Sequence, residues 1–284
     1  MEAEKIQSWD REIKSTKGLL DINLGEIWRY RDLLWLFVRR DFVAMYKQTI
    51  LGPIWFFIQP LLTTITFTII FGRLAKISTD SIPPLAFYLA GVTLWNYFAD
   101  CIVKTSNTFT INANIFGKVY FPRMIVPLSV VVSNLLKLGV QLILFIAVWG
   151  YYYSQGSISP TWALVMLPFL ILIMAGLGLG SGILISSLTT KYRDLQFLVQ
   201  FGVQLLMYGS PVVFPYSVAK GTKFEILLQI NPVTGVIEAF RYATLGTGEL
   251  SMSLLAYSVV FMIILLFAGV VSFNKVEKNF MDTV

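Results

Sequence analysis

The chain has 284 residues, of which 56% are hydrophobic and only 13% are charged. Soluble domains carry about 25% charged residues, so a soluble protein with this composition would expose large apolar patches and aggregate. The composition therefore excludes an ordinary soluble domain and predicts a membrane protein. The formal net charge is +6, and the positions of the charges are more informative than their sum.

Two residue types that support much enzyme chemistry are scarce. The sequence has no histidine and one cysteine, Cys101, which excludes Ser–His–Asp and Cys–His nucleophilic sites, His-ligated metals and an intrachain disulfide. It also contains no G-x-x-x-x-G-K-[ST] phosphate-binding loop. We therefore expect no catalytic residue and no metal or cofactor bound by this chain.

Six apolar runs approach the roughly 20 residues that a helix needs to cross a bilayer. They are 51–72, 85–103, 125–149, 162–188, 195–214 and 254–273. Most of the 22 Lys and Arg residues lie in the N-terminal segment, the second and fourth connections and the tail. Because cytoplasmic flanks are rich in Lys and Arg, both termini are expected in the cytoplasm. The predicted fold class is an all-α integral membrane protein with six transmembrane helices.

Two segments outside these runs have a helical character of their own. Residues 26–42 mix Trp28 and Trp35 with several arginines, which suits a helix at the cytoplasmic headgroup surface, although an ordinary cytoplasmic helix would also fit. Residues 215–250 join spans five and six outside. There Asn231-Pro232 is a helix start signal, and Val233, Val236, Ile237 and Phe240 share one face, which predicts an amphipathic helix dipping into the outer leaflet.

Two stripes of polar side chains recur at helical spacing inside the spans. They are Trp55, Gln59, Thr63 and Thr66 in span one, and Gln196, Gln200, Gln204 and Tyr208 in span five. A glutamine that faces lipid without a partner is costly, so each stripe must face another helix or water. Interhelical hydrogen bonding and a hydrated path for sugar hydroxyls are both compatible with this pattern.

The few charged residues and the glycines within the spans each have a structural interpretation as well as a functional one. Asp100 and Lys137 are candidates for function because intramembrane charges are expensive, although pairing or a wet cavity for structural reasons would also explain them. Gly176, Gly178, Gly180 and Gly182 form small-xxx-small pairs in span four, which predicts close helix packing rather than a nucleotide fingerprint.

Four stretches together resemble a known family. They are DFVAMYKQTILGPIWFFIQP at 41–60, NANIFGKVYFPRMIVP at 112–127, KYRDLQFLVQFGVQLLMYGSPVVFP at 191–215 and NPVTGVIEAFRYATLG at 231–246. In this order they resemble the ABC-type-2 permeases that export polysaccharides. The resemblance begins at about residue 26, so 1–25 is interpreted as a cytoplasmic extension, 26–50 as an interface helix and lead-in, 51–274 as the six-span domain and 275–284 as a cytoplasmic tail.

The resemblance implies a homodimeric half-transporter that pairs with a separately encoded nucleotide-binding subunit, which would use ATP and Mg. Residues 114–123 match the family's coupling helix, with Phe116, Tyr120 and Phe121 filling a groove of the ATPase and Lys118 and Arg123 orienting the helix. The ATPase-coupling residues are then Asn114, Phe116, Lys118, Tyr120, Phe121 and Arg123. Residues 224–230 and 232–245 match short external gate helices, where Pro232, Glu238, Phe240 and Arg241 are assigned and Glu238 would pair with Arg241 at an exposed position.

The expected function is export of a lipid-linked polysaccharide, O-antigen above all, across the bacterial inner membrane. The expected partners are the ATPase, a second copy, the glycan substrate and membrane lipids, with no nucleic acid. Export of teichoic acid, capsule or a small lipid or drug is the alternative within the same architecture. A membrane-embedded glycosyl- or acyltransferase is a remote alternative, because the chain lacks histidine and has few intramembrane carboxylates. A passive channel is an equally remote alternative.

Overall fold

The computed structural model describes residues 24–47, 50–116, 118–192 and 194–283. This part of the chain contains helices and no strands. The α-helices are α1 (Leu24–Arg29), α2 (Arg31–Tyr46), α3 (Trp55–Phe67), α4 (Pro84–Thr105), α5 (Thr108–Phe116), α6 (Ile125–Ser154), α7 (Leu167–Thr189), α8 (Leu195–Tyr208), α9 (Tyr216–Ala219), α10 (Phe224–Ile230), α11 (Thr234–Leu245) and α12 (Met252–Thr283). A 3₁₀ turn at Gly52–Ile54 precedes α3, a π-helical segment at Thr68–Leu74 follows it, and a 3₁₀ segment at Trp162–Met166 precedes α7.

Five helices in the described residues are long and apolar enough to cross a membrane. They are Gly52–Leu74, Pro84–Thr105, Ile125–Ser154, Trp162–Thr189 and Met252–Val276. Their ends lie close to the predicted spans one, two, three, four and six, because a sustained apolar run is the strongest signal in the sequence. The chain is therefore a multi-span, all-helical membrane protein.

The predicted fifth span is shorter than the sequence suggested. Helix α8 has 14 residues and ends at Tyr208 rather than at residue 214, so it rises only about 21 Å against a hydrocarbon thickness of about 30 Å. The residues after Tyr208 form a turn. The sequence Gly209-Ser210-Pro211 accounts for this end, because a proline disfavours the helical conformation of the residue before it and cannot donate a backbone hydrogen bond.

Helix α4 is the centre of the bundle. In its most apolar window, 78% of the residues are buried inside the chain, against 39% or less in the other long helices. It packs against α3, α6, α7, α8 and α11. The most buried span is thus the one around which the other spans are arranged.

The glycines of α7 allow close helix contacts, as predicted. A Cβ atom at Gly178 would lie 2.6 Å from the Cβ of Cys101, and one at Gly182 would lie 2.6 Å from the Cβ of Thr105, both on α4. A Cβ at Gly180 would lie 2.9 Å from the backbone of Leu265 on α12. The alternating glycines therefore serve two neighbours, since one pair faces α4 and the other faces α12.

The segment 26–42, expected to be a surface helix, is two helices with a break at Tyr30. Helix α2 packs against α6 and buries Phe37 and Val38, whereas Trp28 on α1 and Trp35 on α2 are 70% and 60% exposed. Exposed tryptophan beside arginine is the composition of a helix at a membrane interface. The segment is thus attached to the bundle along one side through Phe37 and Val38, and its place at the membrane surface stays a prediction.

The external segment differs from the predicted amphipathic helix. Helix α11 begins at Thr234 rather than at Pro232, and the side-chain oxygen of Asn231 accepts a 3.1 Å hydrogen bond from the backbone N–H of Val233. All residues of α11 except Tyr242 are buried, since it contacts α4, α7 and α12. The helix that exposes apolar side chains is α10, where Phe224 and Ile226 are 69% and 64% exposed.

Candidate translocation and coupling sites

The polar stripe of span one lies on the outer surface of the protomer. Trp55 is 46% exposed, Gln59 and Thr66 are exposed, and Thr63 is half-buried. The Thr63 hydroxyl donates to the backbone carbonyl of Gln59 at 3.0 Å, which satisfies it within its own helix. The Gln59 amide makes no side-chain hydrogen bond in the part of the chain that the structure describes.

The polar stripe of span five is also directed away from the bundle. Gln200 and Gln204 are exposed, Gln196 is half-buried, and Tyr208 is 45% exposed. None of the three glutamine side chains has a hydrogen-bond partner among the described residues. In a bilayer this arrangement requires water or a second molecule along α8, because an unsatisfied amide costs several kcal/mol in hydrocarbon.

Interhelical hydrogen bonding within one protomer therefore does not explain the α8 stripe. The two stripes lie on helices that both pack against α4. Their polar faces are available to a neighbouring molecule, which is the property that either a dimer contact or a hydrated path needs. The spacing of the residues was visible in the sequence, whereas the absence of a partner among the described residues was not.

The connection between spans two and three contains a helix, but not where the resemblance placed it. Helix α5 covers Thr108–Phe116, and residues after Lys118 form a turn; Gly117 lies outside the described residues. Asn114 and Lys118 are exposed, and Tyr120 is 53% exposed. The end of α5 and the turn that follows it thus form an exposed surface.

Two of the aromatic residues assigned to docking are buried within the chain. Phe116 is 4% exposed and Phe121 is 5% exposed, and their ring centres are 5.8 Å apart. Phe121 also lies 5.7 Å from the ring of Phe37 on α2. The Arg123 guanidinium lies 5.5 Å from the centre of the Phe116 ring. The expectation that Phe116 and Phe121 project into a partner's groove is therefore wrong for this structure, because both side chains pack inside.

This packing joins the turn after α5 to the rest of the bundle. Phe109 on α5 stacks on Phe273 of α12 with 4.5 Å between ring centres. The aromatic cluster of Phe37, Phe109, Phe116, Phe121 and Phe273 thus connects α5 and its turn with α2 and α12.

At the other end of the bundle, Glu238 and Arg241 form an ion pair that the sequence predicted, but the pair is buried. Arg241 Nη1 lies 3.3 Å from Glu238 Oε1, and the two side chains are 1% and 2% exposed. Burial raises the pKa of the Glu238 carboxyl and lowers the pKa of the Arg241 guanidinium. The expectation of an exposed pair of little value is therefore wrong.

Arg241 holds the turn that ends α8. Its Nη1 donates to the carbonyl oxygen of Pro211, and its Nη2 donates to that of Val212 at 2.9 Å. The guanidinium also lies 3.6 Å from the centre of the Phe87 ring on α4. Arg241 thus supplies donors to carbonyls that a continuing helix would have satisfied, and it ties α8, α11 and α4 together. The other two residues assigned to the gate make contacts inside the protein. Phe240 is 1% exposed, and the carbonyl oxygen of Pro232 accepts a hydrogen bond from the Ser258 hydroxyl at 2.6 Å.

The two intramembrane charges form a pair. Lys137 Nζ on α6 lies 2.6 Å from Asp100 Oδ2 on α4. Pairing was one of the structural interpretations that the sequence left open, and the structure selects it.

Arg193 and the lysines and arginine before residue 24, which contributed to the predicted orientation, lie outside the described residues. No group of three or more potential metal ligands occurs in the described part of the chain.

Comparison with known proteins places these features in a family. Residues 32–245 match the family model described as ABC-2 type transporter. The chain is 28% identical over 265 residues to the O-antigen export system permease protein RfbA of Myxococcus xanthus, covering 91% of this chain and 98% of that protein. It is 26% identical over 260 residues to an O-antigen export system permease protein RfbA of Klebsiella pneumoniae, covering 92% and 96%.

Membrane subunits of this family carry no ATPase domain and work with a nucleotide-binding subunit, which agrees with the absence of a phosphate-binding loop from this sequence. The chain belongs to the ABC-2 type transporter family and is a multi-span permease subunit of an ABC exporter.

Proposed function

We propose that this permease exports a lipid-linked polysaccharide of the O-antigen class from the cytoplasm to the outer side of the bacterial inner membrane. Similarity to O-antigen export permeases over nine-tenths of the chain supports this cargo. The observation that carries the proposal is the exposed glutamine stripe of α8, because amides exchange hydrogen bonds with sugar hydroxyls without holding them tightly.

The transport unit is proposed to be a homodimer with both termini in the cytoplasm. The exposed stripes Trp55, Gln59, Thr63, Thr66 on α3 and Gln196, Gln200, Gln204, Tyr208 on α8 would then line a hydrated path between the two copies. Lys and Arg flanking the α2 end of the bundle support the orientation. No residue of this chain hydrolyses ATP in this proposal; ATP and Mg bind the partner subunit.

The partner ATPase is proposed to engage the turn after α5, where Asn114, Lys118 and Tyr120 are exposed. Closure of the ATPases on ATP would move this turn, and the aromatic cluster would pass the movement to α2 and α12. The buried Arg241 and Glu238 would keep the external segment attached to the end of α8 during the cycle.

The test is the double variant Gln200→Ala with Gln204→Ala in cells that carry the native ATPase and glycan pathway. We expect surface glycan to fall by about tenfold or more with protein abundance unchanged, since the path loses its polar lining. The matched control is Ile263→Ala with Ile264→Ala, which alters two exposed apolar residues of α12. Unchanged surface glycan in the glutamine variant would refute the assignment of the path.

A further inference from the structure

A cavity of about 300 Å³ lies between α2, α4, α5 and α6, at the end of the bundle proposed to face the cytoplasm. Its polar lining consists of Arg40, Asp41, Lys104, Thr108, Asn112 and Ser133. Apolar side chains, among them Ala44, Ile111 and Val130, complete the wall. Neither α3 nor α8 contributes a residue to this lining, so the cavity is separate from the polar stripes.

Lys104 enters this cavity without a carboxylate partner. Its Nζ donates to Asn134 Oδ1 at 2.8 Å and lies 3.9 Å from Met45 Sδ. Both contacts are to neutral groups, and among the described residues no carboxylate lies within salt-bridge distance of Lys104 Nζ. Lys104 is half-buried, where an ammonium with only neutral hydrogen-bond partners is costly.

The neighbouring charges do not balance Lys104. Asp41 is engaged by Arg40, since both Nε and Nη2 of that arginine lie 2.8 Å from Asp41 Oδ1. Asp100 is engaged by Lys137 at 2.6 Å. The two ion pairs are each neutral, so Lys104 contributes an excess positive charge. That charge lies at a cavity with room for a small anion.

We propose that this cavity binds the phosphate headgroup of an anionic phospholipid. Lys104 and the Nη1 of Arg40 supply N–H donors, and the Asn112 amide keeps a second N–H beside the one that it donates to the Thr108 carbonyl oxygen. Basic pockets between helices at the cytoplasmic membrane surface bind acidic headgroups by this combination. The apolar wall residues suit the glycerol and first acyl carbons. The bound lipid would fix α2, the surface helix, against α4 and α6.

The experiment is native mass spectrometry of the full-length protein in detergent with equal amounts of dioleoylphosphatidylglycerol and dioleoylphosphatidylcholine. The wild type is expected to retain phosphatidylglycerol preferentially. Lys104→Gln is expected to bind it about fivefold more weakly, which corresponds to the loss of one basic residue at a membrane surface. Lys104→Arg keeps the charge and is expected to restore most of the affinity.

The matched control is Lys191→Gln, which removes an exposed cation outside the cavity. Equal retention of phosphatidylglycerol by Lys104→Gln and Lys191→Gln, or no preference over phosphatidylcholine in the wild type, would overturn the proposal. In a second measurement, excess inorganic phosphate is added as a competitor of the lipid. Lipid binding that survives it supports a phospholipid site, whereas phosphate binding with no gain from the acyl chains overturns the assignment to a lipid. A melting temperature of Lys104→Gln within a few degrees of wild type excludes misfolding as the cause.

Discussion

Lys137 on α6 and Asp100 on α4 form an ion pair in the interior of the bundle, with 2.6 Å between Nζ and Oδ2. The side chains are 14% and 28% exposed, so the pair is only partly accessible. An isolated charge among apolar helices carries a large free-energy cost, and pairing lowers this cost for both residues. The pair also fixes the contact between α4 and α6. Removal of one partner should therefore be worse than removal of both.

Asp100→Asn is expected to lower the free energy of unfolding by about 2 kcal/mol, because Lys137 is left half-buried without a carboxylate. The double variant Asp100→Asn with Lys137→Gln should recover most of this loss. Thermal or denaturant unfolding of the purified protein in detergent measures both. If the double variant were less stable than the single one, the two residues would contribute independently rather than as a pair.

Arg241→Lys is expected to destabilise the protein by about 3 kcal/mol, although the charge is retained. A lysine cannot reproduce the planar fork that reaches Glu238 and the carbonyls of Pro211 and Val212 together. The same unfolding assay measures the change. Arg73→Lys is the control, since Arg73 is exposed, and it should change the stability by less than about 0.5 kcal/mol. Equal effects of the two substitutions would show that the buried contacts of Arg241 do not stabilise the fold.

The features that the sequence could and could not predict differ in their physical origin. Five spans were predictable because their apolar runs are long. The pairing of Asp100 with Lys137 was foreseeable, since the two are isolated intramembrane charges of opposite sign. The shortness of α8 was signalled by Pro211, whose effect on the preceding residue is local. The sequence predictions for α11 and Phe121 failed because burial depends on which helices pack around a segment, and this information is not contained in local spacing.

Gly180→Ala is expected to destabilise the protein by about 2 kcal/mol, since the added methyl group would approach the backbone of Leu265 to 2.9 Å and α12 would have to shift. Gly139→Ala on α6 is the control because, apart from the adjacent backbone of α6 itself, nothing lies within 4 Å of its Cβ position. This control should be neutral or slightly stabilising, by up to about 1 kcal/mol, as glycine is unfavourable within a helix. A loss of stability in Gly139→Ala equal to that in Gly180→Ala would argue against close packing as the cause.

Tyr120→Ala and Phe121→Ala should separate docking from folding in the turn after α5. Tyr120 is 53% exposed, so its truncation is expected to weaken copurification with the nucleotide-binding subunit while the unfolding transition stays near that of the wild type. Phe121 is 5% exposed and contacts the rings of Phe37 and Phe116. Its truncation should cost about 3 kcal/mol of stability through the cavity it creates.

Tyr151→Ala is the control for the docking measurement, because Tyr151 is 59% exposed and lies near the end of α6 that is distant from the turn after α5. It should leave copurification with the ATPase unchanged. Normal copurification of Tyr120→Ala would show that the turn after α5 does not contact the ATPase through this side chain. If Phe121→Ala were as stable as the wild type but no longer copurified with the ATPase, Phe121 would belong to the docking surface after all. A ring that contributed only to packing would not affect ATPase binding in a stable protein.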